Sequence, residues 1–393
     1  MTFEVPGFVA GAIAAGIKKK EKKDLAIIFS EVPACAAGLF TTNKVQAAPV
    51  ILDRKRIRSG CAQAIIANSG NANACTGPNG MEATRTMTNS TGSALGIKEQ
   101  LVLVASTGVI GEPLNLFAVT SAIPRLAKQL GPSGFVEVAQ AIMTTDTFPK
   151  VLSKQTRVGA KEFTVTAVAK GAGMIRPDMA TMLCFVCTDM GANPEALQKA
   201  LKEAVASSFN TITVDGDTST NDTVLMLANG ISGLHLKEPS CREAFQAVLD
   251  ELLAGLALQI VKDGEGATKL VSIKIEQAAS ENDARQIAAT IANSPLVKTA
   301  FFGEDANWGR IIAAIGRAGI QINPETIDIF VDNVPLVRNT QGCGEEAEKA
   351  ATRILKKNAF TITVDLNLGS KTATVHTCDL STDYVKINAN YRT

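Results

Sequence analysis

The chain has 393 residues, 46% hydrophobic and 20% charged, which is enough apolar surface for two domains or one large layered domain. Its 39 Lys and Arg against 38 Asp and Glu give a net charge of +1, which favours neither nucleic acid nor an acidic partner. The basic run KKKEKKD at 18–24 is interpreted as a solvated turn. No cation precedes the N-terminal apolar stretch, and no window reaches the ~20 apolar residues of a membrane helix, so we expect a cytoplasmic protein without a membrane segment.

Histidine and cysteine usage narrows the catalytic chemistry. The chain has two histidines, His235 and His376, and neither has a neighbour at metal-ligand spacing. A Ser-His-Asp or Cys-His mechanism therefore starts with few candidates, and no metal site is predicted. The C-x-x-C pair of Cys184 and Cys187 lies inside an apolar strand pattern, so we predict reduced core thiols and not a redox or zinc site.

Short apolar runs alternate with turn residues through the N-terminal half. Four of them are predicted to be buried strands: DLAIIFS at 24–30, AAPVILD at 47–53, CAQAIIANSG at 61–70 and QLVLVASTGVIG at 100–111. Helices are predicted over 80–96 and at the start of FVEVAQAIMTTDTFPK, which becomes extended before Pro149.

The C-terminal half has clearer helix signals. Asn193 is predicted to cap a helix that begins at Pro194, and Ser240 with Glu243 forms a capping box for a long apolar-faced helix. Ser280 and Asp283 open another helix. Further elements are predicted as a strand at KLVSIKIE, a helix at NWGRIIAAIGRAG, and a hairpin of AFTITVDL and KTATVHTCDL across Gly369. This alternation predicts an α/β or α+β fold with layered sheets.

Polar clusters follow several of the predicted strands. They are NSGNANACTG at 68–77, STGVIG at 106–111, TTDTFPK at 144–150, TVDGDTSTND at 213–222 and DGEGATK at 263–269. Each one is a plausible turn, but together they supply the hydroxyls, amides and main-chain N–H groups that a pocket for a small polar molecule needs. The glycine loops GAGMIR and GEGATK lack the full spacing of a nucleotide-binding motif, so we do not interpret them as phosphate sites.

Thr181 opens the apolar run TMLCFVC, where a β-branched residue is also an ordinary strand former. Because histidine is scarce, a threonine nucleophile would need another base, and its own α-amine can serve if the chain is cut before it. The unperturbed pKa of an α-amine lies near ~8, so part of it is unprotonated at cellular pH. The small Ala180 leaves room for the hydroxyl of Thr181 to attack the preceding carbonyl, so a self-cleaving threonine is a candidate here.

These motifs together resemble the ornithine acetyltransferase family, also called glutamate N-acetyltransferases or arginine biosynthesis bifunctional proteins. The resemblance rests on KGAGMIRPDMATMLCF, GEDANWGRI and INANYRT, together with four of the polar clusters, and runs from PGFVAGAIAAGIK to the last residue. It implies a layered α-β-β-α sandwich within the α/β class. It also implies self-cleavage into an α chain of residues 1–180 and a β chain of residues 181–393, assembled as a heterotetramer of two α and two β chains.

The resemblance implies a ping-pong cycle in which Thr181 takes the acetyl group of N-acetylornithine and passes it to glutamate. Thr107 and Gly108 match the oxyanion pair, and cleavage falls between Ala180 and Thr181. The substrate-contacting positions of the family match Thr147, Lys170, Thr181, Glu265, Asn388 and Thr393. No cofactor is implied, although acetyl-CoA serves some members as a donor substrate and the sequence leaves its use open.

Two alternatives stay open at the level of sequence. An amidase or aminopeptidase with the same N-terminal nucleophile would deliver the acyl group to water and release acetate. An amino-acid-binding protein without enzymatic activity would keep one intact chain, with Thr181 as a strand residue. Without the resemblance, we would interpret Lys170 as a surface lysine and Glu265 as a helix-terminal carboxylate.

Overall fold

A computed structural model describes residues 3–18, 22–176 and 182–389 of the chain. These residues form two compact units. The first unit comprises the described residues of 1–174, 178–210 and 217–259, and the second those of 175–177, 211–216 and 260–393.

The first unit contains an eight-stranded sheet of order β4-β3-β2-β8-β7-β6-β5, with β1 paired to β2. Parallel pairs join β3 to β4 and β7 to β8, and the other pairs are antiparallel. The strands are β1 Phe8–Ile13, β2 Leu25–Phe40, β3 Cys61–Asn71, β4 Val102–Val109, β5 Lys150–Val158, β6 Lys161–Lys170, β7 Leu183–Thr188 and β8 Thr223–Ala228.

Helices cover both faces of this sheet. They are α1 Ala48–Arg56, α2 Gly77–Leu95, α3 Leu116–Ala127, α4 Phe135–Ile142, α5 Pro194–Ala206 and α6 Pro239–Lys262. Successive residues of a strand point to opposite faces, so Ile65 packs in one core with Phe135 of α4. Its neighbour Ile66 packs in a second core with Met87 of α2 and Val119 of α3.

The second unit contains a six-stranded sheet of order β12-β11-β10-β13-β9-β14. Its strands are β9 Leu270–Ala278, β10 Asp328–Val331, β11 Val334–Arg338, β12 Gln341–Gly342, β13 Ala359–Asp365 and β14 Lys371–Cys378. Its helices are α7 Glu281–Ala292, α8 Pro295–Phe302, α9 Trp308–Gly316, α10 Glu345–Leu355 and α11 Thr382–Ala389. Ile273 and Ile275 of β9 share a core with Ile287 and Ile291 of α7.

The mixed sheets and their packed helices confirm the predicted α/β class. Two predicted helix starts are also confirmed at the level of single hydrogen bonds. The side chain of Asn193 accepts a hydrogen bond from the N–H of Ala196, and that of Ser280 accepts one from the N–H of Asp283. Each bond satisfies an N–H that has no partner within its own helix, as the capping prediction requires.

Three local predictions were wrong. The segment 47–53 is not a strand but the start of α1, where Pro49 occupies the first turn and Ala47 precedes the helix. Pro lacks an N–H, and the first turn of a helix is the position that tolerates this loss. Strands β13 and β14 do not form a hairpin, because β9 lies between them and pairs with both. Helix α6 begins at Pro239, so Ser240 lies in its first turn and does not cap it.

Helix α6 is long and apolar enough to span a membrane by length and composition. Half of its most apolar window is nevertheless buried inside the protein, including Phe245, Leu249 and Leu253. A buried core helix meets the same criteria of length and composition.

Candidate active site

Thr107 and Gly108 lie where β4 ends beside β3. The register between the two strands shifts here, because Asn71 pairs with both Thr107 and Val109. Gly108 has φ +133°, and a Cβ atom at this position would lie 2.3 Å from the carbonyl carbon of Gly70. Only glycine fits so close to another main chain, and a bulge of this kind interrupts the strand ladder beside a site.

Buried amides hold the ends of β3 and β4 together. The hydroxyl of Ser106 donates to Oδ1 of Asn68 at 2.6 Å, and Nδ2 of Asn68 donates to the carbonyl of Asn71 at 2.9 Å. Nδ2 of Asn221 donates to the carbonyls of Ala72 at 2.6 Å and Ser106 at 2.8 Å. Buried polar groups with satisfied partners make a rigid network, so Thr107 follows a tightly held residue.

Helix α1 covers the outer edge of β4. Both carboxylate oxygens of buried Asp53 accept a hydrogen bond from the N–H of Val104, at 3.2 and 3.0 Å. Burial raises the pKa of Asp53, although the hydrogen bond from Val104 and the charge of Arg56 oppose this. Nη1 of Arg56 donates to the carbonyls of Glu99 and Val102. These contacts satisfy main-chain groups of an edge strand that leads to Thr107.

Asp146 is the centre of a second polar group in the first unit. Its Oδ1 accepts from Nζ of Lys150 at 2.8 Å and from the N–H of Gly171 at 2.7 Å. Nζ of Lys170 lies 3.8 Å from Oδ2, which also accepts from the N–H of Thr144. Burial acts to raise the pKa of Asp146, but the charges of Lys170 and Lys150 outweigh it and lower the pKa to about 2.

The three charged side chains of this group are buried or almost buried. The side chains of Lys150 and Asp146 are fully buried, and that of Lys170 is 5% exposed. Among the described residues Lys170 has one charged partner, Asp146, and their separation of 3.8 Å is longer than a hydrogen bond, so the ammonium of Lys170 is suited to bind an anionic ligand. Thr147, the neighbour of Asp146, is exposed.

Lys18 lies beside the same group. Its Nζ donates to the carbonyl of Met143 at 2.8 Å, within the turn that leads to Asp146. Burial lowers the pKa of Lys18 to about 8, and the charge of Lys170 acts in the same direction whereas those of Asp24 and Asp146 oppose it. The pKa of Lys18 is therefore lowered chiefly because its ammonium is buried.

Two further predicted site residues meet in the second unit. Nδ2 of Asn388 donates to Oε2 of Glu265 at 2.8 Å and to the carbonyl of Tyr384 at 3.0 Å. Glu265 is 8% exposed. The hydroxyl of Tyr384 donates to Oδ2 of Asp215 at 3.3 Å. A carboxylate buried to this degree and oriented by an amide is suited to bind a cationic group.

Close main-chain packing holds the loop that carries Glu265. Gly266 has φ +69°, and a Cβ atom there would lie 2.5 Å from the nitrogen of Tyr384. The hydroxyl of Ser381 donates to the carbonyl of Gly266 at 2.6 Å, and Asp379 accepts from the N–H groups of Thr268 and Lys269. The loop 263–269 and the residues around the start of α11 therefore form one rigid piece of the second unit.

The structure places the described residues of the predicted site in three separate groups. Thr107 and Gly108 lie at the end of β4, Thr147 and Lys170 lie with Asp146, and Glu265 lies with Asn388. Ala180, Thr181 and Thr393 lie outside the described residues.

The two histidines and the cysteines of the C-x-x-C pair make contacts that are typical of structural residues. Nδ1 of His235 accepts from the N–H of Lys237, and Nδ1 of His376 lies 2.9 Å from the hydroxyl of Ser272. Cys184 and Cys187 are buried free thiols, as predicted, and burial raises the pKa of each. Within the described ranges no cluster of three or more His, Cys, Asp and Glu side chains could hold a metal ion.

Several residues of these groups were missed from sequence. Asp146, Lys150 and Asn221 lie inside the polar clusters TTDTFPK and TVDGDTSTND. The sequence therefore indicated the right segments, but not which side chains contact each other. Asp53 ends the segment that was predicted to be a strand, and Tyr384 lies in a helix for which no signal was identified.

Sequence comparison adds an independent finding. The ArgJ family model matches residues 9–393. Two relatives, both named arginine biosynthesis bifunctional protein ArgJ, come from Geobacter sulfurreducens and Syntrophotalea carbinolica. The first is 50% identical and the second 52%, and each match covers 99% of this chain and 100% of the relative.

A crystal structure of arginine biosynthesis bifunctional protein argJ from Bacillus halodurans is also similar. It is 42% identical with a TM-score of 0.50, and the match covers 53% of this chain and 98% of that chain. The crystallised chain therefore corresponds to about half of the present one.

Proposed function

The chain belongs to the ArgJ family, and on that premise we propose that it is a glutamate N-acetyltransferase of arginine biosynthesis. It moves an acetyl group from N2-acetylornithine to glutamate through an acetyl ester on Thr181. The observation that carries the proposal is full-length identity of about half with two ArgJ proteins, together with a glycine-dependent bulge at Thr107 and Gly108.

The first step we propose is cleavage of the chain between Ala180 and Thr181, which gives chains 1–180 and 181–393. Cleavage frees the α-amine of Thr181, which then serves as the base that a hydroxyl nucleophile needs. The length of the similar Bacillus halodurans chain supports this, because residues 181–393 also make up a little over half of the present chain.

In the transfer, the hydroxyl oxygen of Thr181 attacks the acetamide carbonyl of the donor while its proton passes to the α-amine. Thr107 and Gly108 stabilise the oxyanion of the tetrahedral intermediate with two hydrogen bonds. The C–N bond then breaks, the proton moves to the departing amine, and ornithine leaves. The amine of glutamate attacks the acetyl ester through the same steps in reverse, and the hydroxyl of Thr181 is restored.

Two of the predicted substrate-contacting residues are assigned to the two charged groups of ornithine. Lys170, whose ammonium lies 3.8 Å from Oδ2 of Asp146, a separation longer than a hydrogen bond, is assigned to the substrate carboxylate. Glu265, oriented by Asn388, is assigned to the side-chain ammonium. Thr147 and Thr393 complete the proposed substrate contacts.

The same reaction scheme accepts acetyl-CoA as an alternative donor, because a thioester carbonyl can take the place of the acetamide. Each step above is carried by protein groups, so we propose that no cofactor takes part. A cytoplasmic heterotetramer of two α and two β chains remains the predicted assembly.

The test is intact mass under denaturing conditions combined with product analysis. The wild type should give two fragments, the larger beginning at Thr181, whereas Thr181→Ala should stay whole. Thr181→Ser keeps a hydroxyl and should still be cut. Incubation with N-acetylornithine should yield N-acetylglutamate when glutamate is present; acetate released at the same rate with or without glutamate would instead identify a hydrolase.

A further inference from the structure

The polar stretch TVDGDTSTND at 213–222 contacts the chain on both sides of the proposed cleavage point. Ile175 lies five residues before Ala180, and Met182 is the residue after Thr181. Each of these two residues is held through its main chain by partners from 213–223, in the second and the first unit respectively.

Ile175 is held at both of its main-chain groups. Its N–H donates to Oδ1 of Asp215 at 2.9 Å. Its carbonyl accepts from the hydroxyl of Thr213 and the N–H of Val214, each at 2.9 Å, and from the N–H of Gly216 at 3.4 Å. Its side chain is fully buried. Such a set of bonds leaves the main chain of Ile175 little rotational freedom.

Met182 is held in a similar way. Its N–H donates to Oδ1 of Asp222 at 3.2 Å, and its carbonyl accepts from the N–H of Thr223 at 3.0 Å. Both Asp222 and Met182 are buried. The next residue, Leu183, is already paired with Thr223 of β8, so Asp222 adds its bond where the strand ladder begins.

We propose that Asp215 and Asp222 are positioning residues for the self-cleavage of this chain, an inference that rests on the proposed function. Each carboxylate acts through a main-chain N–H, that of Ile175 before the cut and that of Met182 after it. Neither carboxylate is required to exchange a proton with the reacting atoms.

Cleavage needs this kind of support because the reacting groups belong to adjacent residues. An O–C bond forms between Thr181 and the carbonyl of Ala180, the C–N bond breaks, and the hydroxyl proton passes to the nitrogen. Water then hydrolyses the ester and leaves a carboxylate on Ala180. A hydroxyl reaches the preceding carbonyl only in a constrained main-chain conformation, and fixing that conformation in advance removes entropy from the barrier.

The proposal predicts different effects from variants that keep or lose the hydrogen-bond acceptor. Asp215→Ala and Asp222→Ala remove it and should lengthen the half-time of cleavage by roughly 10- to 100-fold. Asp215→Asn and Asp222→Asn keep an amide oxygen at the same position and should cleave within about threefold of the wild type. The half-time is measured by pulse labelling in cell-free translation followed by denaturing electrophoresis.

Asp189 offers a matched control. It is a buried carboxylate that accepts the N–H of Thr164 at 2.7 Å, just beyond the C-terminal end of β7, whereas Met182 stands just before the start of that strand. Asp189→Ala should lower the unfolding temperature as much as Asp222→Ala does, while its cleavage half-time stays that of the wild type. Unfolding is compared on the uncut Thr181→Ala background, so that loss of folding is measured separately from loss of cleavage.

The outcomes separate this inference from the function on which it rests. A wild-type chain that never cleaves would contradict the proposed function. If the wild type cleaves and both alanine variants cleave with the same half-time, only the role of Asp215 and Asp222 would be overturned. Asparagine variants as slow as the alanine variants would also overturn it, because they would show that charge is needed and not the hydrogen bond.

Discussion

The sheets of the two units are buried in different ways. In the first unit β7 and β8 are buried at every position, whereas β9 and β13 of the second unit alternate between buried and more exposed residues. A sheet covered by helices on both faces gives continuous apolar strands, and a sheet with one covered face gives alternation. In β7 and β8 this pattern leaves polar residues only at the strand ends, and the candidate site of that unit also lies at strand ends.

The consequence is a difference in how polar residues behave in the two sheets. The polar groups at the ends of β3, β4 and β6 are buried, and each must have partners, so a substitution there affects a network. Polar residues on the open face of β9, such as the Lys274–Glu276 ion pair, remain partly exposed to water. We therefore expect substitutions in the first group to change activity and those in the second to have little effect.

The largest effect is expected from Gly108→Ala. The added Cβ would lie 2.3 Å from the carbonyl carbon of Gly70 and 2.5 Å from the nitrogen of Asn71, so the main chain must move. Loss of one oxyanion donor typically lowers kcat by roughly 100- to 1,000-fold, and we expect a loss of that size. The rate of N-acetylglutamate formation measures it.

Gly111→Ala is the matched control for that substitution. Gly111 also has a positive φ, +86°, but a Cβ atom there has no atom within 4 Å among the described surroundings. The Gly111→Ala variant therefore tests backbone strain without a clash between the new Cβ atom and another main chain. Its activity should stay within about tenfold of the wild type. Equal losses in the two variants would show that the bulge beside Gly70 has no special role.

Lys170→Met should lower kcat/KM for N-acetylornithine by about 100-fold, because it removes the partner proposed for the carboxylate of the donor, and the loss of one partner of a buried charge pair is costly. Steady-state kinetics would measure this loss. The same variant should lose little activity toward N-acetyl-1,4-diaminobutane, a donor without the carboxylate. If both donors lose activity equally, Lys170 does not bind the carboxylate.

Asp146→Asn should show a pH-dependent loss of stability. The pKa of Asp146 is lowered to about 2 in the folded protein, below its value in the unfolded chain, so ionised Asp146 stabilises the fold above that unfolded value. The stabilisation, on the order of 2 kcal/mol, is lost as the pH falls from about 4 to about 2. Free energies of unfolding for both proteins should therefore differ at pH 7 and converge near pH 2.

The smallest effect is expected from Lys274→Met in the second unit. The side chains of Lys274 and Glu276 are 43% and 37% exposed, and ion pairs so exposed contribute little to stability. The free energy of unfolding should change by less than about 0.5 kcal/mol, with acetyl transfer unaffected. A loss of activity in Lys274→Met would contradict the expectation that polar residues on the open face of β9 have little effect on function.

The same contrast explains which elements were predictable. Alternation in β9, β13 and β14 identified each as a strand, because a period of two is specific to strands. A short continuous apolar run has no such period, so the segment 47–53 looked like the strands of the first unit and proved to be part of α1. The order of strands in a sheet is not local information, which is why the predicted hairpin of β13 and β14 failed.

The sequence by itself determined the α/β class, two helix caps and the family, because caps depend on neighbouring residues and the motifs are long and ordered. It also predicted a site formed by polar clusters at strand ends, which stays a prediction. Tertiary structure decided which side chains meet: Lys170 with Asp146, Asn388 with Glu265, and Asn221 with Ser106. These partners are far apart in the chain, and a contact between distant residues exists only once the elements that carry them have packed.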